Sequence, residues 1–358
     1  MIYLDYAANT PLDDRIKSQL HYWYSLSGNA QSKQMTQLNE IIAHSKNQIA
    51  SYINGNSDSV YFTSGATESI NLALLGSARY YQHSGNHIIT FETEHSATLN
   101  ACKQLELEGF QVSILPVKPN GAIDYQLLKE ACNSNTILVS INHICNETGF
   151  IQDLKPLIEL KNQLGFMLHI DCSQTVGKET FDARTTPADF ITLSSHKCYG
   201  PSGIAALYIQ PNRHVRPLIY GNDPIRPGTP SVGLIGMMGA AYEIAHQALK
   251  QDQAHAMHLR EQFLSKIKIP YYIHTQDGVA EIINICFHTL SEQKIAHILS
   301  KIYCQQSASC HQQGLSHVLS ARNIHPSDIK RSIRLSIGRV TTQAEIDQAL
   351  HIINTLNS

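Results

Sequence analysis

The sequence has no uninterrupted apolar run of ~18 residues, the length a membrane-spanning helix requires, so no membrane span is expected. It has no basic stretch leading into an apolar one at its start, and MIYLDYAANTPLDD reads as mature structure, not as a secretory signal. Its eight cysteines stand singly, at 102, 132, 145, 172, 198, 286, 304 and 310, with no C-x-x-C pair and no zinc spacing. They read as reduced thiols of a cytoplasmic protein, and no metal site is expected. Charge of one sign is also lacking: the net charge of −2 gives no electrostatic case for contact with nucleic acid. Internal repeats and low-complexity tracts are absent. No G-x-G-x-x-G follows the first predicted strand, which argues against a nicotinamide dehydrogenase.

What is present is an ordinary globular composition, 42% hydrophobic and 16% charged over 358 residues. That length exceeds one compact core and fits two domains, at ~100–200 residues each. Short apolar runs at 60–63, 87–91, 111–115, 137–141, 166–170, 189–193 and 204–209 predict strands. Amphipathic runs at 35–53, 67–81, 96–108 and 154–164 predict helices between them. Such alternation means an α/β domain with a mostly parallel sheet. Residues 220–231, rich in Gly and Pro, break the rhythm before a helix predicted at 234–249. The expectation is a large α/β domain over 15–250 and a smaller α+β domain over 251–358, joined by the N-terminal segment 1–14.

In open α/β sheets, ligands bind beyond the carboxyl ends of the strands. The residues there are chemically pointed. SGATES follows the strand at 60–63 and opens a helix, whose free N–H groups suit phosphate. His95 follows the second strand and Asp171 the one at 166–170. Ser194, Ser195, His196 and Lys197 follow the one at 189–193, beside a Gly/Pro turn. Together they fit a pyridoxal phosphate (PLP) site. Lys197 would carry the cofactor as an imine and Asp171 would hold the ring nitrogen protonated. Thr67, Ser194 and His196 would take the phosphate, and His95 would lie on the ring.

YLDYAANTP, FTSGATES, TEHSA, NETG, HIDCSQTVGK, SSHKCYGPSG, RPGT and SIRLSIGR follow one another as in cysteine desulfurases, the class V branch of fold-type I PLP enzymes, which the chain resembles from about residue 2 to 350. The resemblance implies removal of sulfur from L-cysteine to give L-alanine. Ala66 and Thr67 resemble the phosphate-loop pair. Asn146 is similar to the asparagine near the substrate carboxylate and the ring hydroxyl, and Gln174 to the ring-oxygen partner. Thr229 resembles the threonine that reaches a phosphate across a dimer interface, which implies a homodimer. Arg334 resembles the arginine that grips the substrate carboxylate, assisted by Asn29.

The family also carries a sulfur-accepting thiolate on a loop of the smaller domain. The matching stretch, SASCHQQG, makes Cys310 the expected persulfide site, from which sulfur passes to an acceptor or iron–sulfur scaffold protein. Cys145, Cys172 and Cys198 also flank site motifs, but adjoin strand ends that hold the cofactor. The sequence departs from the family at Ala30–Lys33, Cys145, Ser195, the segment before Arg226 and the residues around Cys310. Rival readings are another class V activity (selenocysteine lyase, β-elimination or aminotransferase) and a non-catalytic partner-binding homologue. The intact Lys197, Asp171, His95 and Arg334 speak against the second.

Overall fold

A computed structural model describes residues 2–26, 36–306 and 315–357. Its twelve strands are β1 (Ile2–Tyr3), β2 (Val60–Thr63), β3 (His87–Phe91), β4 (Gln111–Leu115), β5 (Thr136–Asn142), β6 (Met167–Asp171), β7 (Phe190–Ser194), β8 (Ala205–Ile209), β9 (Tyr271–Ile273), β10 (Ile282–Phe287), β11 (Ile302–Tyr303) and β12 (Ser332–Ser336). The predicted central strands all form, because buried β-branched and aliphatic runs suit a sheet covered on both faces. They order as β2-β8-β7-β6-β5-β3-β4. Only β8 runs antiparallel to its neighbours, β2 and β7. This is the mostly parallel α/β sheet that the sequence implies.

Four of the seven expected strands differ from their expected bounds by one residue at one end or both. β6 and β7 end on Asp171 and Ser194, one place later than expected. The cause is Asp189. Its carboxylate accepts from the Leu168 amide at 2.7 Å and pairs with Lys161 at 3.1 Å and with Arg213. That residue therefore ends the connection into β7 and is not part of the strand. Asp171 is consequently fixed in register, opposite Asn142 on one side and Thr192 on the other.

The helix predicted at 67–81 starts at Ala66 and carries one π turn, Leu72–Gly76, on its way to Tyr81. The larger difference lies further on. The helix expected over 234–249 runs as one piece from Val232 to Lys266, 35 residues. Its first half packs Ile235, Met238, Ala241, Tyr242 and Ala245 into the core of the large sheet. Its second half packs Ala256, Leu259 and Phe263 against the three-stranded sheet β12-β10-β9. The polar stretch between them reads as a helix end, but Asp252 is buried there, bound by Arg339 at 2.7 Å. The expected boundary between residues 250 and 251 falls inside this helix. The N-terminal segment returns to the same region: β1 pairs in parallel with β11, and Ile2 and Leu4 enter the second core. No helix among the described residues is long and apolar enough to cross a membrane.

Candidate active site

The carboxyl ends of β3, β5, β6 and β7 open on one cleft. Ala66, Thr67, His95, Asn146, Asp171, Gln174 and Lys197 line it, with Ile70, Asn142, Ile144 and Ser173 between them. Seven of the residues singled out in the sequence thus meet in one place. Each is held by its own element. Asp171 ends β6, and its Oδ1 accepts the Ser173 amide at 2.8 Å. Gln174 donates through Nε2 to the Ala7 carbonyl at 2.7 Å. His95 caps the helix Ser96–Leu107, its Nδ1 accepting the Ala97 amide at 3.1 Å. With Nδ1 as acceptor, the neutral ring carries its proton on Nε2.

Glu94, beside it, is buried, and its Oε1 accepts from the backbone and side-chain amides of Asn142 at 2.8 and 2.9 Å. Burial pushes its carboxyl well above the usual range, Asp171 adding to the rise and the Asn142 amide opposing it. Glu94 pins the end of β5 through its bonds to Asn142.

Three singled-out residues stand differently. Ser194 is fully buried, and its hydroxyl donates to the Ser173 carbonyl at 3.1 Å, so it stiffens the turn under the cleft and does not line it. His196 is half-buried beside the cleft. Its carbonyl accepts the Thr10 amide and hydroxyl, each at 2.9 Å. Burial, Lys197 and Lys178 pull its imidazole down to about 4. Thr229 is exposed and lines a separate pocket with Ser64, Asp223 and Arg226, away from Lys197. Asn29 and Cys310 lie outside the described residues.

Arg334, on β12, is 2% exposed. Its Nη2 meets Asp5 Oδ1 at 2.6 Å and its Nη1 donates to the Asn146 carbonyl at 2.9 Å. Asp5 is held in turn by Gln305, at 2.7 Å. Removing one member of a buried ion pair generally costs about 3–5 kcal/mol, because the other charge is left unpaired. Asp5 is thus as much a part of the site as Arg334. It stands inside the YLDYAANTP motif, so the signal was present although only the arginine was singled out.

Lys178, inside HIDCSQTVGK, was passed over in the same way. It is buried behind Lys197, and its Nζ donates to the Lys197 carbonyl at 3.4 Å. Across a shared pocket stands Glu281, its carboxyl pushed up to about 7 by burial while Lys178 pulls it down.

The residues present suit pyridoxal phosphate. An amine, a carboxylate and an imidazole converge, and Gln174 Oε1 and Ser173 Oγ are buried at the cleft without a hydrogen-bond partner. A buried polar atom without a partner is costly, and a polar ring substituent is the kind of group that meets such a need.

Deeper under the sheet, burial holds the imidazoles of His143 and His169 down at about 4, as it does that of His274 beyond β9. Hydroxyls serve them: Thr175 for His143, Ser140 and Thr192 for His169, and Ser332 for His274. Unfolding frees these rings to take protons. The stability they confer is present above the ordinary imidazole value of 6.5 and is lost as pH falls through about 4. At about 1.4 kcal/mol per unit, three rings amount to several kcal/mol. Urea unfolding from about pH 7 to about pH 4 should show that loss. A flat profile would remove this account.

The Aminotransferase class-V family profile matches residues 2–349. The cysteine desulfurase IscS of Serratia proteamaculans (strain 568) is 36% identical over 369 residues, covering 98% of this chain and 91% of its own. That of Pseudoalteromonas translucida (strain TAC 125) is 35% identical over 370 residues, with 98% and 91% covered. Among solved structures, a NifS-like protein has a TM-score of 0.93 at 28% identity, covering 99% of both chains. The structure of SspA in complex with cysteine has a TM-score of 0.85 at 27% identity, covering 96% of this chain and 100% of that one. Similarity over nearly the full length, with the cleft residues at the strand ends where the family motifs put them, means that the chain belongs to the class V aminotransferase family, in its cysteine desulfurase branch.

Proposed function

We propose that the Lys197 cleft holds pyridoxal phosphate and takes the sulfur of L-cysteine, leaving L-alanine and a persulfide on Cys310. The observation that carries this is the convergence of Lys197, Asp171, Gln174 and His95 on one cleft, with unpartnered buried oxygens facing it. When bound, the cofactor supplies an electron sink conjugated to the substrate α-carbon. The chain supplies the rest. Lys197 offers the amine. Asp171, anchored by the Ser173 amide, holds a proton on the ring nitrogen. His95, with Nδ1 engaged by the Ala97 amide, would offer the proton of Nε2 in the cleft. Ala66 and Thr67 begin a helix that serves the phosphate, with Ser194 and His196 bracing the turn opposite. Arg334, oriented by Asp5, is the cation for the substrate carboxylate, with Asn146 beside it and Asn29 assisting.

In net terms the Cβ–S bond of cysteine breaks and an S–S bond forms on Cys310. A proton goes to the carbon that loses sulfur. Cys145, Cys172 and Cys198 suit this role poorly, since burial pushes each thiol up, that of Cys198 to about 12, and a thiolate is required. The persulfide then passes to an acceptor protein, an iron–sulfur scaffold being the expected kind.

Exposed Thr229, away from its own cleft, supports a two-fold dimer in which it serves the partner's phosphate. All seven described cysteines are free, which supports a cytoplasmic setting. The test is to incubate the purified, PLP-loaded protein with L-cysteine and measure alanine and released sulfur, with light scattering on the same preparation. Equal amounts of both products from a dimer are expected. Pyruvate and ammonia in place of alanine would mean β-elimination, and no turnover would leave a partner-binding homologue.

A further inference from the structure

At the far end of β10, three metal-ligating groups come together. The Cys286 thiol, the His288 imidazole and the Asp328 carboxylate each offer one ligand atom, all within 4.8 Å of one another. None of the three lines the Lys197 cleft. Cys286 is the penultimate residue of β10 and His288 stands just past its end, two places on. Strand alternation therefore puts both on one face. Asp328 comes from 40 residues further along, in the short helix Pro326–Lys330. Spacing alone, C-x-H with a distant aspartate, gives no metal motif, which is why the sequence offers no expectation of one here.

The surroundings hold this group in place. In the sheet, Cys286 lies between Tyr272 of β9 and Ser332 of β12. Ser332 Oγ donates to the Asp328 carbonyl at 2.6 Å and Cys286 Sγ donates to the same oxygen at 3.4 Å. Tyr272 stands directly opposite Cys286 across the β9–β10 pair. Its ring rests against that of His288, centroids 4.9 Å apart. Arg331 holds the His288 carbonyl at 2.9 Å. A thiol already satisfied by one carbonyl gives no reason for an imidazole, a carboxylate and a phenol to gather around it.

We propose that Cys286, His288 and Asp328 form a divalent metal site selective for Zn2+, separate from the catalytic cleft. One sulfur, one imidazole nitrogen and one carboxylate oxygen are the mixed donor set that Zn2+ accepts in tetrahedral geometry, while Mg2+ and Ca2+ want oxygen alone. Bonds of 2.0–2.3 Å place tetrahedral ligands about 3.3–3.8 Å apart. The donors must therefore close by about an ångström, and exposed His288 is free to make most of that movement. On binding, Cys286 releases its proton to solvent and forms the S–Zn bond, giving up its bond to the Asp328 carbonyl. Thiolate and carboxylate together balance the two charges of the ion. The fourth position falls to water or to the Tyr272 hydroxyl. Ser332 and Arg334 share a face of β12, so the ion sits roughly 7 Å along the strand from the arginine of the cleft.

The test uses the full-length, PLP-loaded protein, stripped with a chelator and then titrated with Zn2+ against a chromophoric competitor. Co2+ is the optical probe for a thiolate ligand. The expected result is one tight Zn2+ per chain, weakened at least ten-fold by His288→Ala and by Asp328→Asn, with the cobalt–thiolate band lost in Cys286→Ser. Since His288 is exposed, its variant will fold even where the cysteine variant does not, and circular dichroism checks each. Zinc affinity unchanged in His288→Ala and Asp328→Asn would place the ion on other cysteines and overturn the proposal. So would a wild type that binds Zn2+ no better than the competitor.

Discussion

Lys197→Ala leaves a folded protein that no longer holds its cofactor covalently and turns over L-cysteine roughly 10³-fold more slowly or worse. The magnitude follows from losing a group that both positions the cofactor and moves protons, each effect being worth about 10²-fold or more. The fold should survive because other groups hold the backbone of the loop. Its backbone is tied by Lys178 Nζ on the Lys197 carbonyl at 3.4 Å and by Thr10 on the His196 carbonyl at 2.9 Å. The measurement is borohydride reduction of the loaded protein, followed by peptide mass spectrometry. Wild type should carry the reduced cofactor on the peptide containing Lys197, and the variant should carry none. A label that persists in the variant would move the assignment to another amine. Buried Lys178 is the nearest candidate, its ammonium pushed below its usual value by burial, Glu281 opposing. Wild-type turnover in the variant would dismiss the covalent role altogether.

Cys310→Ala should separate cofactor chemistry from sulfur transfer. The variant is expected to keep its colour and to perturb it on adding L-cysteine, while sulfur release falls by roughly 10²-fold or more. In wild type, brief exposure to L-cysteine should add one reducible sulfur to the peptide containing Cys310. The nearby thiols compete poorly. Cys172 and Cys198 are 0% exposed and Cys145 5%, all far from the thiolate state. Cys304, near the same part of the chain, is pushed up to about 12 by burial, Asp5 adding to the rise. Sulfide release at the wild-type rate from Cys310→Ala would replace persulfide transfer with plain elimination. A label on another cysteine would keep the reaction and change the residue.

Which features the sequence discloses depends on how local their causes are. The strands of the central sheet are legible because most are short runs rich in β-branched and aliphatic residues buried on both faces, and the residues at their ends follow directly. The full extent of the helix Val232–Lys266 is not, because Asp252 looks like a solvent residue until Arg339 arrives from 87 positions away. Lys197 and Asp171 are visible as chemistry placed at strand ends. Asp5 and Lys178 stand inside motifs, but what each does is not legible there, since each acquires its meaning from a partner on another element. Ser194 is the converse case: its type suits phosphate, while in the structure its hydroxyl donates to the Ser173 carbonyl.

The pairing of Asp5 with Arg334 joins residues 329 positions apart. Near it, the Ser336 amide donates to the Leu4 carbonyl at 2.7 Å and the Ala7 amide to Ser336 Oγ at 2.9 Å. During synthesis the segment around Leu4 and Asp5 therefore waits for β12 before it finds its place. The central sheet has all its strands once Ile209 has emerged, while Asp5 still lacks Arg334 and the second core is not closed. Contacts of such long range are slow to form, because the entropy of closing the loop is lost before any of them forms. On the proposed reading, a nascent chain halted before β12 thus has the amine of Lys197 but not the cation of Arg334, and the site is completed only when the two distant segments meet.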